Sequence, residues 1–211
     1  MMYQPSHFKE EREPILFELI EKYPFATFVS MRDGLPELNH LPLLLSDDKK
    51  YLRCHIARAN PLWNDLTLNN EVLISFHGPH AYITPSWYPS KQEAGKVVPT
   101  WNYIVVHVKG IARVVDDAVW VRENVEALTT QLEKTRHSEW KVSDAPKDYL
   151  DMMLKATIGI EVEIQSIEGK FKLSQNKVGI DRDGVYAQSS KSTMDVDRDL
   201  VYWMNRVAIK K

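Results

Sequence analysis

The residues best equipped for chemistry cluster between His55 and Asn102 and again between Lys170 and Asn176. In His55-Ile-Ala-Arg58-Ala-Asn60-Pro61 a strand pattern gives way to a helix, with Asn60 placed to cap it and Pro61 suited to its first position. Backbone N–H groups at such a start, with a guanidinium two residues before the cap, form a pocket for an anion such as a phosphate. The same string also reads as a well-capped helix beside a surface arginine. Cys54 and His55 are adjacent, but consecutive strand residues point to opposite faces, so a thiolate–imidazole pair is not expected and Cys54 reads as buried. His77 and His80, in His77-Gly-Pro-His80, could ligate a metal if His40, His55 or His107 joined them. The competing reading makes them turn histidines near a strand end.

Two further strings carry aromatic residues beside polar ones in Pro-rich loops. They are Pro85-Ser86-Trp87-Tyr88-Pro89-Ser90-Lys91 and Val98-Pro99-Thr100-Trp101-Asn102-Tyr103. Flat apolar walls with hydroxyls and amides nearby suit a planar heteroaromatic ligand such as a flavin. They equally suit packing of a loop or contact with a second subunit. Lys172-Leu-Ser-Gln175-Asn176, placed after a turn, offers donors and acceptors for a ring edge.

These groups need a scaffold, and the composition bounds it. The chain has 211 residues, 27 Lys plus Arg against 29 Asp plus Glu, and a net charge of -2. With 44% apolar and 27% charged residues it is an ordinary globular chain, long enough to bury a core without staples. One cysteine leaves no internal disulfide and no cysteine-based zinc site. The charge balance argues against a domain that works mainly by gripping nucleic-acid phosphates. The first ten residues have no signal-peptide pattern and no apolar run reaches membrane-spanning length, so a cytoplasmic protein is expected. No G-x-G-x-x-G, Walker loop, G-x-S-x-G or H-E-x-x-H string occurs, which disfavours Rossmann, P-loop, serine-hydrolase and zincin chemistry.

Along the chain, the spacing predicts a helix over about Glu11–Tyr23. Short strands follow at Ala26–Met31, His40–Leu45, Tyr51–Ile56, Val72–Phe76 and Ala81–Thr84, with a short helix at about Pro61–Asn69. A long strand is expected over Tyr103–Val115, where Gly110 marks a bulge or bend. A helix over Asp117–Lys134 buries Val121, Val125, Leu128 and Leu132. Ile158, Ile160, Val162 and Ile164 alternate with Gly159, Glu161, Glu163 and Gln165, as in a strand with one wet face. Ser189–Thr193 reads as a polar loop, and a last helix runs over about Asp197–Ile209. Six or more antiparallel strands with peripheral helices predict a mainly β, α+β chain folded as one domain over 1–211, a small closed or half-closed barrel.

Taken together, these strings resemble the PaiB family, FMN-binding negative transcriptional regulators of the split-barrel flavin-binding superfamily. The resemblance runs from Tyr3-Gln-Pro-Ser-His-Phe8 to about Val185. It rests on His40-Leu-Pro-Leu-Leu, His55-Ile-Ala-Arg-Ala-Asn-Pro, Gly78-Pro, Pro85-Ser-Trp-Tyr, Val98-Pro-Thr-Trp-Asn-Tyr103 and Lys172-Leu-Ser-Gln-Asn176. It implies a six-stranded split barrel, a homodimer with FMN at the subunit interface, and repression of sporulation and degradative-enzyme genes through DNA, directly or by way of another regulator. By analogy Arg58 and Asn60 form the phosphate clamp, although superfamily oxidases carry Ser-Arg-Lys where this chain has Ala57-Arg58-Ala59. His40 and His55 would flank the flavin. Ser86, Trp87, Lys91, Thr100, Trp101, Asn102, Lys172, Gln175 and Asn176 would complete the cofactor site, with no catalytic residue and no metal. The alternatives are a flavin-dependent oxidoreductase of the NAD(P)H type and a haem-binding split barrel with His77, His80 or His107 as axial ligand.

Overall fold

A computed structural model describes residues 2–177 and 179–208. Its elements in chain order begin with strand β1 (Lys9–Glu10), helix α1 (Glu13–Lys22), and strands β2 (Phe25–Arg32), β3 (Leu35–Pro42), β4 (Leu44–Leu45) and β5 (Tyr51–Ala57). Then come helix α2 (Leu62–Leu68), strand β6 (Glu71–Ile83), the single turn α3 (Lys91–Ala94), strand β7 (Thr100–Val115) and helices α4 (Ala118–Arg136) and α5 (Lys147–Lys155). Strand β8 (Thr157–Lys172) and helices α6 (Gly179–Lys191) and α7 (Asp195–Ala208) complete the order. The strands form one sheet in the order β3-β2-β6-β7-β8-β5-β4, with β1 paired to β8. All the pairs β1–β8, β2–β3, β2–β6, β4–β5 and β5–β8 are antiparallel.

The chain divides into two compact units, one of residues 1–19, 77–106 and 168–211 and one of residues 20–76 and 107–167. We call them the first and second unit; β6, β7 and β8 run through both. In the second unit, Asp33 and Gly34 both take positive φ (52° and 78°) between paired Arg32 and Leu35, a two-residue hairpin turn whose twist matches the strands. Its core is built from inward-facing residues such as Phe28, Leu52, Cys54, Ile74, Phe76, Ile160 and Val162. In the first unit, Trp203 of α7 is fully buried and meets Phe171 of β8 edge-on at 5.6 Å.

Several expectations need correction. The six strands expected correspond to six long ones; the described residues add two short strands, β1 and β4, of two residues each. His77 and His80 are not in a turn: β6 continues through them. Pairing of β6 with β2 ends at Phe76, so the N–H that Pro79 lacks is not missed on that side of the strand. Thr100, Trp101 and Asn102 belong to β7 rather than to a loop, and Lys170–Lys172 continue β8 without a turn. The second face of the alternating strand is wet at Glu163 and Gln165, which are exposed, but not at Gly159 and Glu161. Glu161 is 4% exposed because Arg53 and Arg113 close over it (2.7 and 2.8 Å), and Trp120 of α4 covers Gly159. Ser189–Lys191 end helix α6, and Ser189 is buried. Ile209, expected at the end of the last helix, lies outside the described residues.

Gly110 occupies a close approach between β7 and β8. A Cβ there would sit 2.4 Å from the carbonyl oxygen of Glu163 and 2.5 Å from Val162. Backbone cannot move aside as a side chain can, so Gly110→Ala is expected to cost about 3 kcal/mol. Thermal melting should show it as a drop of roughly 6–12 °C. An unchanged midpoint would mean that β7 and β8 do not approach this closely.

Candidate functional site

In the second unit, β5 delivers Arg58 just past its last residue. The Arg58 N–H donates to the Ala156 carbonyl (2.7 Å), and its own carbonyl accepts from the Trp63 indole (2.9 Å). Its guanidinium donates to the carbonyls of Lys155 (3.1 Å) and Thr157 (3.3 Å) and, through both terminal nitrogens, to the two oxygens of Asp116 (2.9 and 2.5 Å). The Arg58 hydrogen bond holds the Asp116 carboxyl below the usual carboxylate range. The Asn60 side chain accepts from the Leu62 N–H (3.0 Å) and donates to Asn39 (3.0 Å). Asn60 therefore caps α2, as the sequence indicated, and spends its oxygen doing so.

Two candidate histidines of this unit, His40 and His55, differ. His40 is exposed on β3 and stacks on Phe25, ring centroids 6.4 Å apart. His55 is half-buried, its Nδ1 3.0 Å from the Asn124 amide nitrogen, and burial pushes its pKa below the usual histidine value of 6.5. Unfolding restores the ordinary value, so below about pH 6.5 the unfolded chain binds a proton that the folded chain resists. Stability is thus fully present above that pH and lost as pH falls through it. Urea midpoints of the protein should fall more between pH 7.5 and 5.5 than those of His55→Gln. Parallel slopes for the two would refute a neutral, buried His55. Cys54 is buried, and burial pushes its thiol up to about 12, which leaves no thiolate for catalysis.

The remaining candidates lie in the first unit. Trp87 and Trp101 line one cavity of about 450 Å³ with His80, Tyr82, Thr84 and residues 194, 196 and 197 at the start of α7. Trp101 is half-exposed and lies 5.7 Å from the His80 ring and 6.3 Å from that of Tyr82. Lys172 donates to the Thr100 hydroxyl (2.6 Å). Asn102 is buried and exchanges hydrogen bonds with the Ser174 hydroxyl (3.0 and 3.1 Å). Gln175 is turned inward: its oxygen accepts from the Leu173 N–H (2.6 Å) and its nitrogen donates to the Phe171 carbonyl. Asn176 is exposed. Ser86 and Lys91 lie with Gly184 and Gln188 along a separate, open cleft. Asp181 of α6 fastens the Trp87 loop by accepting from the Ser90 N–H (3.0 Å) and hydroxyl (2.7 Å).

The structure thus gathers Arg58 and Asn60 in one unit, and Trp87, Trp101, Thr100 and Lys172 in the other. Tyr82 and the start of α7 line the same cavity without having been singled out in the sequence, and His80, singled out there as a metal or haem ligand, lines it with them. The alternation of His80 and Tyr82 about buried Ala81 was the available signal for Tyr82. Among the described residues no three His, Cys, Asp or Glu side chains are grouped to hold a metal, and no helix is long and apolar enough to cross a membrane.

Comparison with known proteins gives these geometries a context. A family described as “Putative FMN-binding domain” matches residues 2–166. The “Protease synthase and sporulation protein PAI 2” of Bacillus subtilis is 36% identical over 182 residues, 83% of each chain. Among solved structures, an FAD and haem binding protein from Mycobacterium smegmatis superposes with a TM-score of 0.59 at 18% identity, covering 78% of this chain and 73% of that one. The flavocytochrome Anf3 from Azotobacter vinelandii gives 0.56 at 12% identity, covering 78% and 69%. At such identities the structural likeness carries the fold alone, an antiparallel split barrel with peripheral helices.

Proposed function

The chain belongs to the PaiB family of FMN-binding split-barrel proteins, and on that premise we propose that it binds FMN and acts as a homodimeric negative regulator of transcription. The observation that carries this reading is the family match over residues 2–166, which spans every strand but the end of β8. The regulated genes, on the same reading, are those of sporulation and degradative enzymes.

The second unit supplies a group suited to the phosphate. Arg58 is fixed by two backbone carbonyls and already receives a two-oxygen anion, the Asp116 carboxylate, on its terminal nitrogens. A phosphate presents the same pair of oxygens to the same fork. The Arg58–Asp116 pair is exposed on both sides, and such pairs exchange readily for another anion. Asn60 steadies the turn that follows Arg58, and His55, held neutral, adds no charge beside it. Bound FMN would supply redox chemistry of its own ring; the protein's part is to orient and shield it. Trp87, Thr100, Trp101, Asn102 and Lys172 lie in the other unit.

The test is a titration of the purified chain with FMN, followed by visible absorption and gel filtration. The expected result is a flavin spectrum that elutes with protein at the mass of two chains, and derepression of protease genes when the gene is deleted. A protein that stays colourless in excess FMN would overturn the cofactor. Sustained NADPH oxidation by the loaded dimer would replace the regulator with a flavin-dependent oxidoreductase.

A further inference from the structure

Within the first unit, one face of the neighbouring strands β6, β7 and β8 carries His80 and Tyr82, then Trp101 and Tyr103, then Lys170 and Lys172. Their neighbours Ala81, Asn102 and Phe171 are buried on the opposite face, which fixes the alternation. The strip is therefore aromatic at one end and basic at the other. The aromatic end opens into the cavity of about 450 Å³.

The basic end is short of negative charge. Lys170 Nζ lies 5.3 Å from the Tyr3 ring and 5.4 Å from that of Tyr103, Lys172 Nζ lies 5.9 Å from Tyr103, and Lys177 Nζ lies 4.5 Å from Tyr88. Among the described residues none of the three forms an ion pair, although Lys170 is 9% exposed and the other two are half-buried. Lysines so buried are ordinarily paired. The carboxylates closest in sequence or pairing are spent elsewhere: Glu10 on Arg12 (2.6 Å), Asp181 on Ser90, and Glu168 on the Met2 N–H (3.2 Å). Each ammonium has three donors, and the hydrogen bonds found are one from Lys170 to the Tyr3 carbonyl (3.0 Å) and one from Lys172 to Thr100 (2.6 Å). Burial holds Lys172 below the usual lysine range, and Lys170 and Lys177 push the same way against the opposing pull of Tyr103. The cations lean on the electron-rich faces of tyrosines, a partial substitute for an anion.

We propose that this strip is a second ligand site, separate from Arg58, for a phosphorylated heteroaromatic of mononucleotide size. The flat ring rests on Trp101 beside His80 and Tyr82, and the phosphate sits among Lys170, Lys172 and Lys177. Aromatic stacking joined to a basic patch is how proteins hold a base and its phosphate without reading sequence. An added dianion would also relieve the mutual repulsion of three ammonium groups that form no ion pair among the described residues.

The full chain provides the test, with AMP as the probe and adenosine as its phosphate-free counterpart. Indole fluorescence and calorimetry should show saturable AMP binding, at least tenfold tighter than adenosine. Lys172→Ala, and separately the milder Lys177→Gln, should each weaken AMP at least tenfold, while Arg58→Ala leaves it unchanged. Absence of saturable AMP binding would overturn the site, as would equal affinity for adenosine. Loss of AMP binding in Arg58→Ala would make the strip part of one cofactor site and overturn its separateness. The FMN reading would survive that result, and failure of FMN to bind would leave the AMP result standing.

Discussion

Arg58→Ala is expected to weaken FMN binding about ten- to a hundredfold, because a charge-assisted contact to phosphate is lost and the phosphate is left with water alone. Asp116→Asn is expected to move affinity the other way. In the unliganded protein the Asp116 carboxylate occupies the terminal nitrogens of Arg58, so an incoming phosphate must displace it. Arg58 keeps that carboxylate ionised at neutral pH, so the competitor is present under all ordinary conditions. Removing its charge does not release the guanidinium, since the Lys155 and Thr157 carbonyls still aim it. Riboflavin, which lacks the phosphate, separates charge from ring contacts: neither variant should change its affinity. Added salt should shrink both FMN effects by screening exposed charges. Fluorescence titrations of the three proteins with both ligands measure all of this. Equal dissociation constants for FMN in the protein and Arg58→Ala would remove Arg58 from the site.

Trp203→Ala is expected to cost about 3–5 kcal/mol of stability, the range for emptying a fully buried aromatic position. Trp203 is completely enclosed and packs edge-on against Phe171 at 5.6 Å. Phe171 lies between Lys170 and Lys172 on β8, so this packing also sets the basic strip behind which it sits. Helix α7 is further tied down by Arg206, whose Nε donates to Glu18 of α1 at 3.0 Å. Urea denaturation should show a lower midpoint for Trp203→Ala and an intermediate one for Trp203→Phe, which retains a ring. A midpoint within about 1 kcal/mol of the parent would show that α7 packs loosely on the first unit, since surface-like positions behave that way.

Local signals were legible wherever a short-range bond decides the structure. Asp117 caps α4 by accepting from the Trp120 N–H (2.8 Å), and Asn60 caps α2 from two residues away. The Asp33-Gly34 hairpin follows from the ease with which those residues take positive φ. Cys54 is inert because strand alternation buries it. Three helices escaped: the single turn α3, and α5 and α6. In α5 the apolar residues do not mark a buried face: Leu150 is its one buried side chain, while Tyr149, Met152 and Met153 are exposed. In α6 the buried set is Asp181, Val185 and Ser189, whose regular four-residue spacing is hidden by its polarity.

The sequence by itself determined the family, the order and kind of most elements, and the identity of the cation at the end of β5. These rest on neighbours a few residues apart or on strings that keep their order along the chain. Tertiary structure alone decided what each charged group faces. Asp116 reaches Arg58 across 58 positions, and Thr100 reaches Lys172 across 72. It also decided that Glu161 is buried under two arginines, and that Lys170 and Lys172 share one face of β8 beside Tyr103, with no ion pair to either among the described residues. Charge–charge and ring contacts act over a few ångströms in space, and strand pairing, which composition and periodicity do not encode, sets which residues come that close.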